Sequence, residues 1–106
     1  MYDREKYKQK YKESMASYCY IIKIDGKDIY KVGKTCRLKY RLINLNQAIY
    51  DNWDIYHLIS CENNESALAI ERRLISQLKD YRLNGKREWF LIKKEQMDQI
   101  LNELNA

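Results

Sequence analysis

The chain of 106 residues contains no proline, three glycines, one phenylalanine and one histidine. Without proline, its turns rest on other signals, chiefly Asp25-Gly26 and Asn84-Gly85. No apolar run approaches the ~20 residues that a membrane-spanning helix needs. Residues Met1 to Lys6 carry no signal-peptide core. The three cysteines, Cys19, Cys36 and Cys61, include no Cys-x-x-Cys pair, which argues against a disulfide framework and against a thiolate zinc site. An intracellular, reducing setting with no membrane partner is therefore expected. The single histidine, His57, falls in a strand-like stretch, where a lone imidazole is more often structural than catalytic.

What the chain does hold is charge, and ten tyrosines. Apolar residues make up 45% and charged residues 33%, the profile of one globular domain with room for a single core. The order of elements along the chain, α-β-β-α-β-α-β-α with the arm first, makes it a small α+β domain. Twenty Lys+Arg against fifteen Asp+Glu give a formal charge of +5. That charge is local: residues 1–41 hold twelve basic and five acidic side chains, a net +7, and the remainder is slightly acidic. Uneven positive charge favours an anionic partner.

The chain divides into a basic arm, residues 1–16, and a domain over 17–106. In the arm, Tyr7, Tyr11 and Met15 recur at helical spacing among Lys6, Lys8, Lys10 and Lys12. Two readings stand: a solvated helix docked by its tyrosine stripe, or an arm on nucleic acid with Lys8 and Lys12 against phosphates. Tyr18 to Gly33 reads as a β-hairpin about Asp25-Gly26. A two-residue turn sets Tyr20 opposite Lys31; a four-residue loop shifts the register by two. Either way the two residues share a face. Thr35 is the expected N-cap of a helix over about 37–48 with Leu38, Leu42, Leu45 and Ile49 buried and Arg41 at the edge of the stripe. Trp53 to Cys61 alternates as a third strand. Asn63 or Asn64 caps a long helix over about 65–83, Trp89 to Ile92 forms a short buried strand, and Met97, Ile100, Leu101 and Leu104 mark a closing helix.

Glu71 is the most informative position. It lies within the apolar arc formed by Ala67, Leu68, Ile70, Leu74, Ile75 and Leu78. A carboxylate facing a core has to be paired, neutralised or bound to a cation. Either a salt bridge, with Arg41 as its partner, or a metal-binding role satisfies that requirement. Arg41 itself either snorkels from its stripe or clamps a phosphate. Lys34, Arg37 and Lys39 add positive potential nearby, either as a solvated face or as DNA contacts.

These residues resemble the GIY-YIG endonuclease superfamily. Tyr18-Cys19-Tyr20 stands where its first motif falls, Lys31-Val32-Gly33 where the second does, Arg41 follows eight residues after Gly33, and Glu71 is the central glutamate of the long helix. The phage and large-DNA-virus branch is the nearer likeness, with Lys-Ile-Gly then Lys-Thr in the second motif and a later Glu-Trp-Phe; here these read Lys31-Val32-Gly33-Lys34-Thr35 and Glu88-Trp89-Phe90. The likeness implies a central three-stranded antiparallel sheet flanked by helices, with the arm as an extra N-terminal helix. It also implies metal-dependent hydrolysis of DNA phosphodiesters with one Mg²⁺ or Mn²⁺. Tyr20 would sit at the scissile phosphate as base or hydrogen-bonding relay, Arg41 would steady the phosphate charge, and Glu71 would hold the metal.

Two positions depart from the pattern. Tyr18 and Cys19 replace a glycine and an isoleucine, and Lys31 replaces the second motif's tyrosine. Lys31 shares Tyr20's face and takes that tyrosine's place at the phosphate or acts as base; as a cation it is expected to lower the Tyr20 pKa. The family's asparagine after the metal helix has Asn84 and Glu88 as candidate counterparts. Duplex DNA is the expected partner, and cutting both strands calls for two binding events or a homodimer. The alternatives are a non-catalytic DNA-binding module of the same fold and a protein-interaction domain with a buried Arg41–Glu71 pair. Deleting residues 1–15 should weaken duplex binding and flatten its salt dependence, as titrated by fluorescence anisotropy from low to high salt. Unchanged affinity and slope would remove the arm from DNA binding.

Overall fold

The computed structural model describes residues 16–85 and 88–104. The expected arm over 1–16, with Lys8 and Lys12, therefore lies outside the described residues except for Ala16. Strand β1 (Ser17–Ile24) and strand β2 (Ile29–Thr35) form the hairpin; helix α1 (Leu38–Ala48), strand β3 (Trp53–Cys61), helix α2 (Asn64–Leu78) with a 3₁₀ turn (Lys79–Tyr81), strand β4 (Trp89–Leu91) and helix α3 (Lys94–Leu104) follow.

The hairpin uses the longer loop. Tyr20 pairs with Gly33, Ile21 with Val32 and Ile22 with Lys31, so four residues, Asp25 to Asp28, make the connection. Gly26 takes the left-handed conformation at φ 72° that this loop requires. Lys31 thus stands two pairs along the ladder from Tyr20, on the same face.

The sheet is four-stranded in the order β3-β1-β2-β4, all antiparallel. This corrects the expected three-stranded sheet, while the α+β class holds. The added strand is Trp89–Leu91, which pairs with β2 through Lys31↔Trp89, Tyr30↔Phe90 and Ile29↔Leu91. Flanking bonds from Val32 N–H to the Glu88 carbonyl (3.1 Å) and from Ile92 N–H to the Asp28 carbonyl (3.0 Å) extend the match. Without β4, strand β2 would expose a full row of backbone donors and acceptors at an edge.

The sheet separates two apolar layers. On one face Tyr20, Ile22, Ile24 and Trp53 pack with Leu38, Leu42 and Leu45 of α1. On the other, Cys19, Ile21, Tyr30, Val32 and Phe90 pack with Leu74 and Leu78 of α2 and Met97 and Leu101 of α3. Period-two alternation along β1 and β2 sends successive side chains to opposite layers, which is why neither strand has a residue fully open to solvent. A bulge opposite Ile21 and Ile22 inserts Tyr56 into β3. Its ring meets Tyr30 edge-on at 5.1 Å between centroids, and its hydroxyl donates to Asp98 of α3. The bulge thereby ties the far edge of the sheet to the last helix.

Two helix boundaries differ from expectation. The N-cap of α1 is Arg37 without a side-chain cap; Thr35 instead accepts from the Arg37 N–H at 3.0 Å, closing a turn before the helix. Helix α2 gives way to 3₁₀ geometry after Leu78, short of residue 83, and its cap is Asn63, which accepts from Ser66 N–H at 2.8 Å. Among the described residues no helix is long and apolar enough to cross a membrane.

Gly33 is the tightest point of the hairpin. A Cβ built there would overlap the ring and hydroxyl of Tyr20. Gly33→Ala should cost about 1–3 kcal/mol in denaturant unfolding, the usual penalty for forcing volume into a packed core. In a Tyr20→Val background most of that cost should vanish; an equal cost in both backgrounds would show that Tyr20 is not what excludes the methyl group.

Candidate active site at the sheet edge

Tyr20 lies across Gly33 because a glycine leaves the pleat open at that point, and α1 covers the ring from above. The residue is 2% exposed. Its hydroxyl has no hydrogen-bond partner among the described residues, yet it is not sealed from solvent as the buried Tyr30 hydroxyl is. The ring is therefore an anchor, and the oxygen is the end that meets the surface.

Burial pushes the Tyr20 pKa up to about 12; the Arg41 charge pulls the other way, and Glu88 and Glu71 add to the rise. This overturns the expectation that cationic neighbours such as Lys31 lower it. Removing a phenol from water disfavours the phenolate more strongly than the nearby guanidinium favours it. A phenol of this kind keeps its proton at neutral pH and serves as a hydrogen-bonding group.

Lys31 is fixed from the β4 side. Its Nζ lies 2.6 Å from Glu88 Oε2 and 5.6 Å from the centre of the Trp89 ring. The lysine side chain is 14% exposed and the glutamate 49%, so the pair closes over the sheet edge with its acid end in solvent. That contact uses Lys31 as a cation. Pairing of Lys31 with Trp89 across β2 and β4 is what brings Glu88, the preceding residue, within reach.

Glu71 projects from the middle of α2 and is half-buried, whereas Ala67, Leu74 and Leu78 of the same helix are fully buried. Among the described residues it makes no ion pair and no hydrogen bond, so the Arg41–Glu71 salt bridge, one of the two readings of its sequence, is absent. Burial raises its pKa first, the charge of Glu88 adds to that, and Lys34, Lys31 and Arg41 oppose it. The named groups are thus near enough to feel one another: Tyr20, Lys31, Arg41 and Glu71 share a single electrostatic neighbourhood with Glu88 and Lys34.

Arg41 is exposed on α1 and lines a cleft together with Lys34 and Arg37. Lys39, on the same helix, is half-buried and does not line that cleft. His57 faces Ile21 across the sheet and is not among the groups whose charge reaches Tyr20 or Glu71. Asn84 sits in the exposed turn before Gly85. Of the two candidates after the long helix, Glu88 is the one at the site. The residues alone left Asn84 and Glu88 as equal candidates, because the place of Glu88 depends on how β4 pairs, which no local pattern encodes.

An unpaired, half-buried carboxylate whose charge is disfavoured suits a bound cation. Among the described residues no three His, Cys, Asp or Glu side chains cluster as metal ligands. A hard ion such as Mg²⁺ asks for less, since it keeps most of its waters and takes one or two carboxylates plus substrate phosphate oxygens. Glu71 fits that requirement, with Glu88 as the neighbouring acid.

Residues 17–105 match the T5orf172 domain. This is a phage-derived domain linked to nuclease-like proteins, which points to a DNA-acting role at a coarse level. No curated protein and no solved structure matches the chain.

A raised carboxylate pKa means that the folded state holds its proton more tightly than the unfolded chain does. The contribution to stability is then complete at pH below the ordinary glutamate range and is lost as pH rises through the folded value. Glu71→Gln should therefore match or exceed the wild-type melting temperature at pH 7, with any advantage shrinking toward pH 4. Mn²⁺ should raise the melting temperature of the wild type and leave the variant unmoved. A lower melting temperature for the variant at pH 7 without metal would show that the carboxylate is structurally paired.

Proposed function

The chain belongs to the T5orf172 domain family, and we propose that it is a divalent-metal-dependent DNA endonuclease of the GIY-YIG type. The observation that supports this reading is a half-buried Glu71 with no ion pair or hydrogen bond among the described residues, within electrostatic reach of Lys31 and Arg41 and of the buried Tyr20. A structural carboxylate would have been paired, since burying one alone costs several kcal/mol. The same groups supply what phosphodiester hydrolysis needs: a cation site, fixed positive charge and a hydrogen-bonding group between them.

Arg41 and Lys31 would hold the scissile phosphate. The guanidinium binds two phosphate oxygens at once, and the ammonium adds a point charge. Arg41 is exposed and Lys31 half-buried beside Glu88, so the negative charge that builds on the non-bridging oxygens would meet cations already in place. Glu88, holding Lys31 at 2.6 Å, fixes where that charge points before substrate arrives. Glu71 would hold one Mg²⁺ or Mn²⁺, which, when bound, supplies Lewis-acid stabilisation of the leaving oxygen.

Tyr20 would orient the attacking water through its free hydroxyl. With a pKa of about 12 it stays a phenol overall: as the oxygen–phosphorus bond forms and the bridging P–O bond breaks, it takes the water's proton while giving its own to bulk solvent, and the leaving oxygen takes a proton from solvent. Its buried ring prevents the hydroxyl from swinging away, which is the positioning that a surface tyrosine would lack.

On supercoiled plasmid with Mg²⁺ or Mn²⁺, the protein should produce nicked or linear DNA. Glu71→Gln and Arg41→Ala should abolish cutting, and Tyr20→Phe should slow it by about 10²–10⁴-fold, the range of a lost proton-transfer group. Folded wild type that binds DNA in a salt-dependent way but never cuts would establish the non-catalytic module instead. One site per 106-residue chain predicts nicked circles ahead of linear product.

A further inference from the structure

Arg37 stands three and four residues before Tyr40 and Arg41, and Asn44 four and three residues after them, so the four form one stripe along the outer surface of α1 from its start. With Lys34 from the end of β2 and Asn64 from the start of α2, this stripe lines a cleft of about 420 Å³. That volume falls within the range of pockets that take small organic ligands. Among the described residues the lining is chemically one-sided: three cations and two carboxamides, with no carboxylate.

A groove for phosphate alone needs no aromatic residue, yet Tyr40 stands in the middle of the stripe. It is 45% exposed, one of three large apolar side chains left open among the described residues. The other two, Tyr50 and Leu91, lie outside this cleft. The Arg37 guanidinium sits over the Tyr40 ring, 4.7 Å from its centre, which steadies the ring and couples it to a cation. The bond from the Arg37 N–H to Thr35 holds the start of the stripe to β2, and Lys34 Nζ donates to Asn64 Oδ1 at 3.0 Å across the cleft. The ring is thus presented by tethered elements beside Arg41, the phosphate-holding residue.

We propose that this cleft binds an unpaired nucleotide of the DNA substrate, its base stacked on Tyr40 and its phosphates held by Lys34, Arg37 and Arg41. In a continuous duplex the base faces are covered by their neighbours, and only an unpaired base offers a π-face to an aromatic side chain. Asn44 and Asn64 supply amide donors and acceptors for the edge of that base. The favoured substrate therefore carries single-stranded nucleotides next to the point of cleavage, as in a fork or flap. The proposal takes its cutting chemistry from the nuclease reading above, but the binding preference stands independently of it.

The test compares the full chain on a forked oligonucleotide, with 2-aminopurine at the junction, and on a fully paired one of equal length, in EDTA. Wild type should prefer the fork and quench the probe. Tyr40→Ala should lose about 5- to 150-fold in fork affinity, the range for one base–aromatic stack, with an unchanged slope against salt. Tyr40→Phe should keep both affinity and quenching. Arg37→Ala should instead reduce the salt slope by about one phosphate's share.

Equal affinity of wild type for fork and duplex would overturn the proposal, as would an unaffected Tyr40→Ala. A Tyr40→Phe variant as weak as Tyr40→Ala would also overturn it, by assigning the hydroxyl to a phosphate and not the ring to a base. Cutting is scored separately on plasmid with Mn²⁺. Fork preference without cutting rejects the nuclease reading alone, and cutting without fork preference rejects this proposal alone.

Discussion

The close passage of Tyr20 over Gly33 is the constraint on which the site depends. It requires strands β1 and β2 to stand in the register that sets these two residues opposite each other, and that register needs the four-residue loop. It also requires an α1 positioned to cover the ring, which Leu38, Leu42 and Leu45 secure. The hydroxyl at the end of a rigid, buried ring has little freedom, so its position is set by packing and not by a hydrogen bond. A tyrosine held by a polar partner would have its oxygen already occupied.

Around that oxygen the charges are arranged with some tension. Glu71 carries a charge that its surroundings disfavour, and Glu88 worsens this while binding Lys31. Such an arrangement does not serve stability, since a neutral side chain at position 71 would be easier to bury. Groups kept in unfavourable protonation environments beside fixed cations are typical of sites whose missing partner is a ligand. The opposite layer shows the contrasting case. There Tyr56, Asp98 and Lys94 satisfy one another, and the Asp98 carboxyl is held below its ordinary value by the Tyr56 hydroxyl and the Lys94 ammonium. That chain of contacts pins the Tyr56 bulge to α3 and has no unpartnered end.

Much of the architecture was legible in the residues themselves. Alternation marked β1, β2 and β3, the spacing of leucines marked the buried face of α1, and the pair Asn63-Asn64 announced the start of α2 without saying which of the two caps it. The fourth strand was visible as a short apolar stretch, but its place in the sheet was not. Three residues carry too little pattern to choose a partner, and the partner lies more than fifty positions away. The early end of α2 was equally hidden, because apolar spacing continues through Tyr81 while the backbone tightens after Leu78. Tyr40 carried no signal at all, for an exposed tyrosine on a helix is ordinary until its neighbours in space are known.

The sequence by itself determined the class of the fold, the faces of the strands and the oddity of Glu71, because each of these follows from local periodicity and the cost of burying charge. It also determined that Tyr20 and Lys31 share a face, since either turn length preserves that parity. Only the tertiary structure decided that Glu88 binds Lys31, that Glu71 and Arg41 do not pair, and that Tyr20 is a harder phenol to ionise than its cationic surroundings suggested. Each of these depends on distances between separate elements and on how much water they exclude. Electrostatic energies vary with both, and neither quantity is written in the order of residues along a chain.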